Sequence, residues 1–174
     1  LYLRRIDEIE TRPVAASDGA TTPFFSPDGR WLAFSVGGML KKVSLAGGVP
    51  LTIAETPPVW SASWGGDRIV FATTPASGGL WSVPADGGEP ESLTMAGQDD
   101  LQHGYPQILP DGQHVLFSVL RPRGWQAALL TLATREWRIV GEGRTIGEGA
   151  QYLPTTGHLV FMQSGGLVAS RFDL

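Results

Sequence analysis

Apolar residues along this chain fall in short runs of four to seven, each bounded by Gly, Pro or Asp. Trp31-Leu32-Ala33-Phe34, Ile69-Val70-Phe71-Ala72 and Ala127-Ala128-Leu129-Leu130 are typical. No 12-residue stretch carries a clean 3.6-residue period, and Val, Ile, Phe and Trp favour pleated, half-buried surfaces. The pattern predicts β-strands throughout.

The strands recur in a fixed order. Pro23-Phe24-Phe25-Ser26-Pro27-Asp28-Gly29-Arg30-Trp31-Leu32-Ala33-Phe34 has a second copy in Tyr105 to Phe117, and weaker copies in Val59 to Phe71 and Ala150 to Phe161. Each is strand, turn, strand. Phe34, Phe71, Phe117 and Phe161 are spaced by 37, 46 and 44 residues, the length of a four-stranded blade in a repeat protein. After two of them, Met39 to Gly48 and Leu80 to Gly88 add a third strand closing on a glycine turn, followed by a short outer strand. The expected fold is an all-β β-propeller of four-stranded antiparallel blades, a partial ring within one segment, 1–174. Complete blades are expected over 22–53, 59–94 and 105–140, with partial blades over 1–16 and 148–174. The first partial blade should hold strands near 1–6 and 11–15, and the last near 148–153, 158–163 and 166–172.

Turn chemistry agrees. In Pro-Asp-Gly, Pro presets φ, Asp bonds the backbone two residues on, and Gly accepts positive φ. The 23 Gly and 13 Pro among 174 residues suit many short strands joined tightly.

Net charge is −4, and the 13 basic residues are scattered apart from pairs such as Arg4-Arg5 and Lys41-Lys42, so nothing tracks a phosphate backbone and no nucleic-acid partner is expected. No apolar stretch approaches the ~18 residues of a membrane-spanning helix. The absence of Cys fits either redox compartment. Leu1 falls at a strand start in mid-blade, which reads as a piece of a longer protein.

Phe25 to Phe34 and Leu80 to Gly88 resemble the TolB-like propeller repeat, with its F-S-P-D-G-R-x-[IL]-A-F stretch, L-W-x-V strand and D-G-G turn. The order of units, with the opening L-Y-L-R-R-I-D and the pair L-K-K-V and A-G-G-V-P, is similar to propellers C-terminal to bacterial serine/threonine kinase domains. The resemblance implies a ring of six to eight blades, of which about half is here, and it favours an extracytoplasmic or periplasmic location. It implies no kinase activity in this segment, which lacks a glycine-rich phosphate loop, H-R-D and D-F-G.

Candidate chemistry is sparse. Asp28, Asp67 and Asp111 recur at matching turns and read as turn residues; a calcium site would need oxygen ligands at alternate positions. His114 and His158 open second strands at equivalent places, which points to packing or hydrogen bonding. His103 falls in the longest connection, Met95 to Gly104, beside Asp99 and Asp100, but zinc wants three or four ligands and no second His is near in sequence. No metal, cofactor or catalytic residue is assigned, and no G-x-S-x-G elbow supports a hydrolase. Five of the six Trp, at 31, 60, 64, 81 and 137, read as core between blades; Trp125 is set apart, in the connection Leu120 to Trp125.

In a propeller, connections from fourth to next first strand and from second to third strand emerge on one face. That geometry brings Asp99, Asp100 and His103 beside Arg121, Arg123 and Trp125, both charge signs with an aromatic, the composition of interface hot spots. The expected function is non-catalytic recognition of a protein, peptide or small ligand, as the sensor or scaffold part of a larger bacterial protein such as a serine/threonine kinase. Alternatives are a structural ring that positions neighbouring domains and an accessory domain of a hydrolase or peptidase. Open strand edges at both ends also predict self-association. Head-to-tail joining would bring five strands to each joint, one more than a blade needs, so 1–6 and 167–172 would compete for the third place.

Overall fold

The computed structural model describes residues 1–74, 78–141 and 144–173. All its named elements are strands, and among the described residues no helix is long and apolar enough to cross a membrane. Three sheets are complete four-stranded antiparallel meanders. The first runs β3 (Thr21–Phe25), β4 (Trp31–Val36), β5 (Met39–Ser44), β6 (Leu51–Glu55). The second runs β7 (Val59–Gly65), β8 (Arg68–Thr73), β9 (Trp81–Pro84), β10 (Glu91–Ser92). The third runs β11 (Gln102–Ile108), β12 (His114–Arg121), β13 (Gly124–Thr131), β14 (Trp137–Ile139). A two-stranded pair, β1 (Tyr2–Leu3) and β2 (Arg12–Pro13), precedes them, and a three-stranded sheet, β15 (Gln151–Leu153), β16 (His158–Gln163), β17 (Gly166–Arg171), follows. Leu174, the last residue of the final expected blade, lies outside the described residues.

Consecutive sheets stack through one repeated contact. Phe71 packs among Ala33, Leu40, Ile53 and Ala54 of the sheet before it, Phe117 among Val70, Ala72, Leu80 and Leu93, and Phe161 among Leu116, Ala127, Leu129 and Val140. Phe34 lies in a cluster against which Leu1 and Val14, flanking the first pair, pack in the same way. The core is therefore a series of inter-blade layers, as in repeat architectures where each unit buries its apolar face only against its neighbours.

First strands lie side by side and satisfy one another. The Thr22 hydroxyl donates to the Val59 carbonyl at 2.7 Å, and the Tyr105 and Ile108 amides donate to the hydroxyls of Ser61 and Ser63, each at 3.0 Å. Gln107 brackets Tyr152, its Nε2 donating to the Tyr152 carbonyl at 3.0 Å while its Oε1 accepts from the Tyr152 amide at 2.7 Å. These bonds serve backbone groups that have no ladder partner on that edge.

Lys42 bolts the first two complete sheets together. Its Nζ donates to the Ala85 carbonyl at 2.7 Å and to Asp86 at 3.0 Å, and lies over the rings of Trp31 and Trp64 at 5.1 and 5.9 Å. Asp86 is fully exposed, so its ion pair adds little, whereas the carbonyl and the rings hold a buried ammonium. Lys42→Met keeps the apolar stem and is expected to cost about 1–3 kcal/mol in urea unfolding, against less than ~0.5 for Asp86→Ala.

Several expectations change. The first pair is shorter than 1–6 and 11–15, and the outer strands β10 and β14 shrink to two and three residues. Asp28 and Asp111 act as turn residues, accepting from the Arg30 amide at 3.0 Å and the Gln113 amide at 2.9 Å. Ser26, then the Arg30 amide and guanidinium, hold the Asp28 carboxyl down at about 2. Asp67 differs, because Gly66-Asp67 is a two-residue turn that leaves its carboxylate in solvent, 3.9 Å from Arg68 Nε. His114 and His158 hydrogen-bond as expected, to Asp111 and to the Thr156 carbonyl, each at 2.7 Å.

Candidate functional site

The site is built where the second complete sheet hands over to the third. β12 and β13 pair through to Arg121 and Gly124, so the connection between them is a tight turn of Pro122 and Arg123. This corrects the reading of Leu120 to Trp125 as a loop: Arg121 ends one strand and Trp125 lies inside the next. β11 likewise starts at Gln102, pairing with Leu120, which places His103 in a strand opposite Val119 and not in the preceding loop.

Arg121 ties the two segments together. Its Nε donates to Asp100 Oδ1 at 2.8 Å and its Nη1 to Gln126 Oε1 at 3.2 Å. The Leu101 amide donates to the Leu120 carbonyl at 2.8 Å, so the connection 93–101 is laid along the end of β12. Burial raises the Asp100 pKa, but the Arg121 bond and charge, the Gly97 amide and His103 outweigh it and hold the carboxyl below its ordinary value. The proximity expected of the two segments is real, and its agent is an ion pair whose carboxylate side chain is only 6% exposed.

Asp99 and Arg123 are exposed on this face, and among the described residues neither enters a hydrogen bond or ion pair. Trp125 is half-buried. Its carbonyl accepts from the Ile146 amide at 2.8 Å and its ring packs on the cluster shared by the third and last sheets. That removes the distinction drawn for Trp125, since all six tryptophans are half-buried.

Two neighbours join that sequence reasoning missed. The Tyr105 ring meets Trp125 at 5.4 Å and Trp60 at 4.9 Å, both edge to face, and its hydroxyl donates to Glu148 Oε2 at 2.7 Å. Burial, then the Glu148 hydrogen bond and charge, push the phenol up to about 12, so Tyr105 stays a neutral donor. Tyr105 has φ of 51°, which would mark a strained site residue, but Thr22 (51°) in β3 and Gly149 (73°) just before β15 take the same conformation. The strain belongs to the repeat. The available signal was position: Tyr105 and Glu148 open the expected first strands, on the face already singled out.

His103 does not reach solvent. It is 1% exposed, wedged against Phe117 and Trp137 with ring centroids 5.2 and 5.1 Å away, and its Nδ1 lies 2.8 Å from the Thr94 hydroxyl. It supports the face and cannot touch a partner on it. Among the described residues no group of three His, Asp or Glu side chains is placed to hold a metal.

In comparisons with solved structures, an Agrobacterium tumefaciens protein assigned to TolB superposes with a TM-score of 0.70, covering 93% of this chain at 19% identity. Acinetobacter baumannii TolB superposes at 0.63 over 88% of the chain, also at 19% identity. The fold is that of a TolB-like β-propeller. A chain of the nidogen/laminin complex superposes at 0.72 over 87% of the chain at 12% identity, and a luciferin-regenerating enzyme at 0.61 over 88% at 11%. The propeller segment spans 60% of the Agrobacterium and nidogen-complex chains, 56% of the enzyme and 38% of the Acinetobacter TolB. No family model and no curated protein matches it.

Proposed function

We propose that this propeller segment is a non-catalytic recognition module that binds a protein or peptide through the face carrying Asp99, Arg123, Trp125, Tyr105 and Glu148. It serves as the sensor or scaffold part of a larger bacterial protein, such as a serine/threonine kinase. The observation that carries the reading is the Asp100–Arg121 ion pair: it fixes two segments side by side while Asp99 and Arg123, at their ends, stay exposed. Free charges of both signs around an aromatic anchor are what a protein partner's polar rim and hot spot require. The nidogen/laminin neighbour supports a protein partner as a use of this fold, and the luciferin-regenerating enzyme shows that fold alone does not decide catalysis.

Peptides selected on the chain from a random library provide the probe. Replacing Asp99, Arg123 and Trp125 together by Ala is expected to raise their Kd at least ~30-fold, about 2 kcal/mol, while Asp86→Ala on the opposite face leaves it unchanged. Selected peptides indifferent to the triple replacement would overturn the face, and selection that yields none would favour a ring with only a positioning role.

Self-association belongs to the same proposal. β17 has no strand paired on its outer side among the described residues, and Leu167 on it and Met162 on β16 are exposed. A 174-residue chain that stays monomeric by sedimentation at high concentration would remove that part.

A further inference from the structure

We propose that His103 makes this face acid-labile: protonation of its buried ring opens the connection 93–101 and frees Arg121 from Asp100. The inference rests on the recognition reading, whose regulation it names. The Thr94 hydroxyl accepts from the Leu80 amide at 2.9 Å and lies 2.8 Å from His103 Nδ1. The other ring nitrogen, Nε2, faces Asp100 Oδ2 at 3.6 Å, beyond a hydrogen bond. The doubly protonated ring makes both nitrogens donors, so the Thr94 hydroxyl would have to accept from Nδ1 as well as from the Leu80 amide. Protonation would also add a cation, cut off from water, beside a carboxylate already held by Arg121.

The charged groups facing the ring are Asp100 from the connection and Arg121 from β12. β12 otherwise presents the Phe117 ring, β14 presents the Trp137 ring, and the segment before β9 presents backbone, the Gly78 carbonyl accepting from the His103 amide at 3.0 Å. Burial lowers the His103 pKa most, Asp100 opposes it, and Arg121 adds to the lowering. The sign follows. A water-exposed imidazole takes up its proton as pH falls through about 6.5, whereas the ring in the closed form stays neutral to lower pH. Each unit below that point favours the open form, by about tenfold in the opening constant between pH 7.5 and pH 5.5. The carboxylates held low, Asp28, Asp100 and Asp111, lose their contribution only as pH falls through about 4 and below, a separate window.

Hydrogen exchange reads this directly, because the Leu101 and His103 amides are bonded only in the closed form. After correction for intrinsic rates, their opening constants should rise about tenfold from pH 7.5 to 5.5 in the intact chain and stay flat in His103→Asn and His103→Phe. A flat profile in the intact chain, or an equal rise in the variants, overturns the proposal. If both variants fail to fold, proton NMR of the intact chain decides: an imidazole that titrates at or above the ordinary value without added opening contradicts it. Peptide affinity at pH 7.5 is measured alongside and reports on the recognition reading alone.

Discussion

Phe117→Ala is expected to destabilise the chain by about 3–5 kcal/mol, the cost of emptying a fully buried aromatic site. Phe117 is 0% exposed and stands at the centre of the layer between the second and third complete blades. Its ring also meets Trp137 at 5.7 Å and the His103 ring at 5.2 Å, so its loss reaches the support of the candidate face. For a domain of this size the change corresponds to a fall in Tm of about 6–20 °C. Phe25→Ala is the control, because Phe25 is 53% exposed despite belonging to the strongest repeat, and it should cost less than ~1 kcal/mol. Thermal unfolding of the two variants checks both; equal losses would mean that the repeated Phe is not the element joining blades.

Gly79→Ala is the second large effect. A methyl group at Gly79 would overlap the backbone carbonyl of Thr94, which has no side-chain freedom with which to yield. Relief requires parting the start of β9 from the strand beside it, where the Leu93 amide donates to the Leu80 carbonyl at 2.8 Å and the Leu80 amide to the Thr94 hydroxyl at 2.9 Å. The same hydroxyl fixes His103, so the strain should pass into the connection 93–101. Overpacking of this kind costs about 1–3 kcal/mol, and more where backbone must move. Urea unfolding gives the size of the loss, and faster exchange at Leu101 and His103 than in the parent chain would show where it goes.

Much of the fold was legible because the repeat is written in residues whose physics is local. The marker Phe positions announce the blades, and Pro-Asp-Gly announces the turns through backbone bonds that Asp28 and Asp111 do make. Asp67 escaped the rule because a shorter turn leaves no amide within its reach. The boundaries of β11 were hidden by its own irregularity: the ladder shifts between Gly104 and Gln107, and the alternation that marks a strand breaks there. Reading the strand from Tyr105 put His103 outside it. The pairing of Asp100 with Arg121 was foreseeable from connection geometry, but its consequence was not. Two charges that looked like contact residues hold each other, and Asp99 and Arg123 are the charges left exposed. Tyr105 and Glu148 were invisible as a pair because they lie 43 positions apart, joined only when adjacent blades stack.

The recognition reading stands on Asp99 and Arg123 sharing one face, with the Asp86 turn on the other, as the strand registers require. The chain has no native Cys, so spin labels on paired cysteines at these sites are unambiguous. Double electron–electron resonance should give a short, narrow distance between labels at 99 and 123 and a clearly longer one between 99 and 86. The reverse order, or a broad distribution between 99 and 123, would contradict the account.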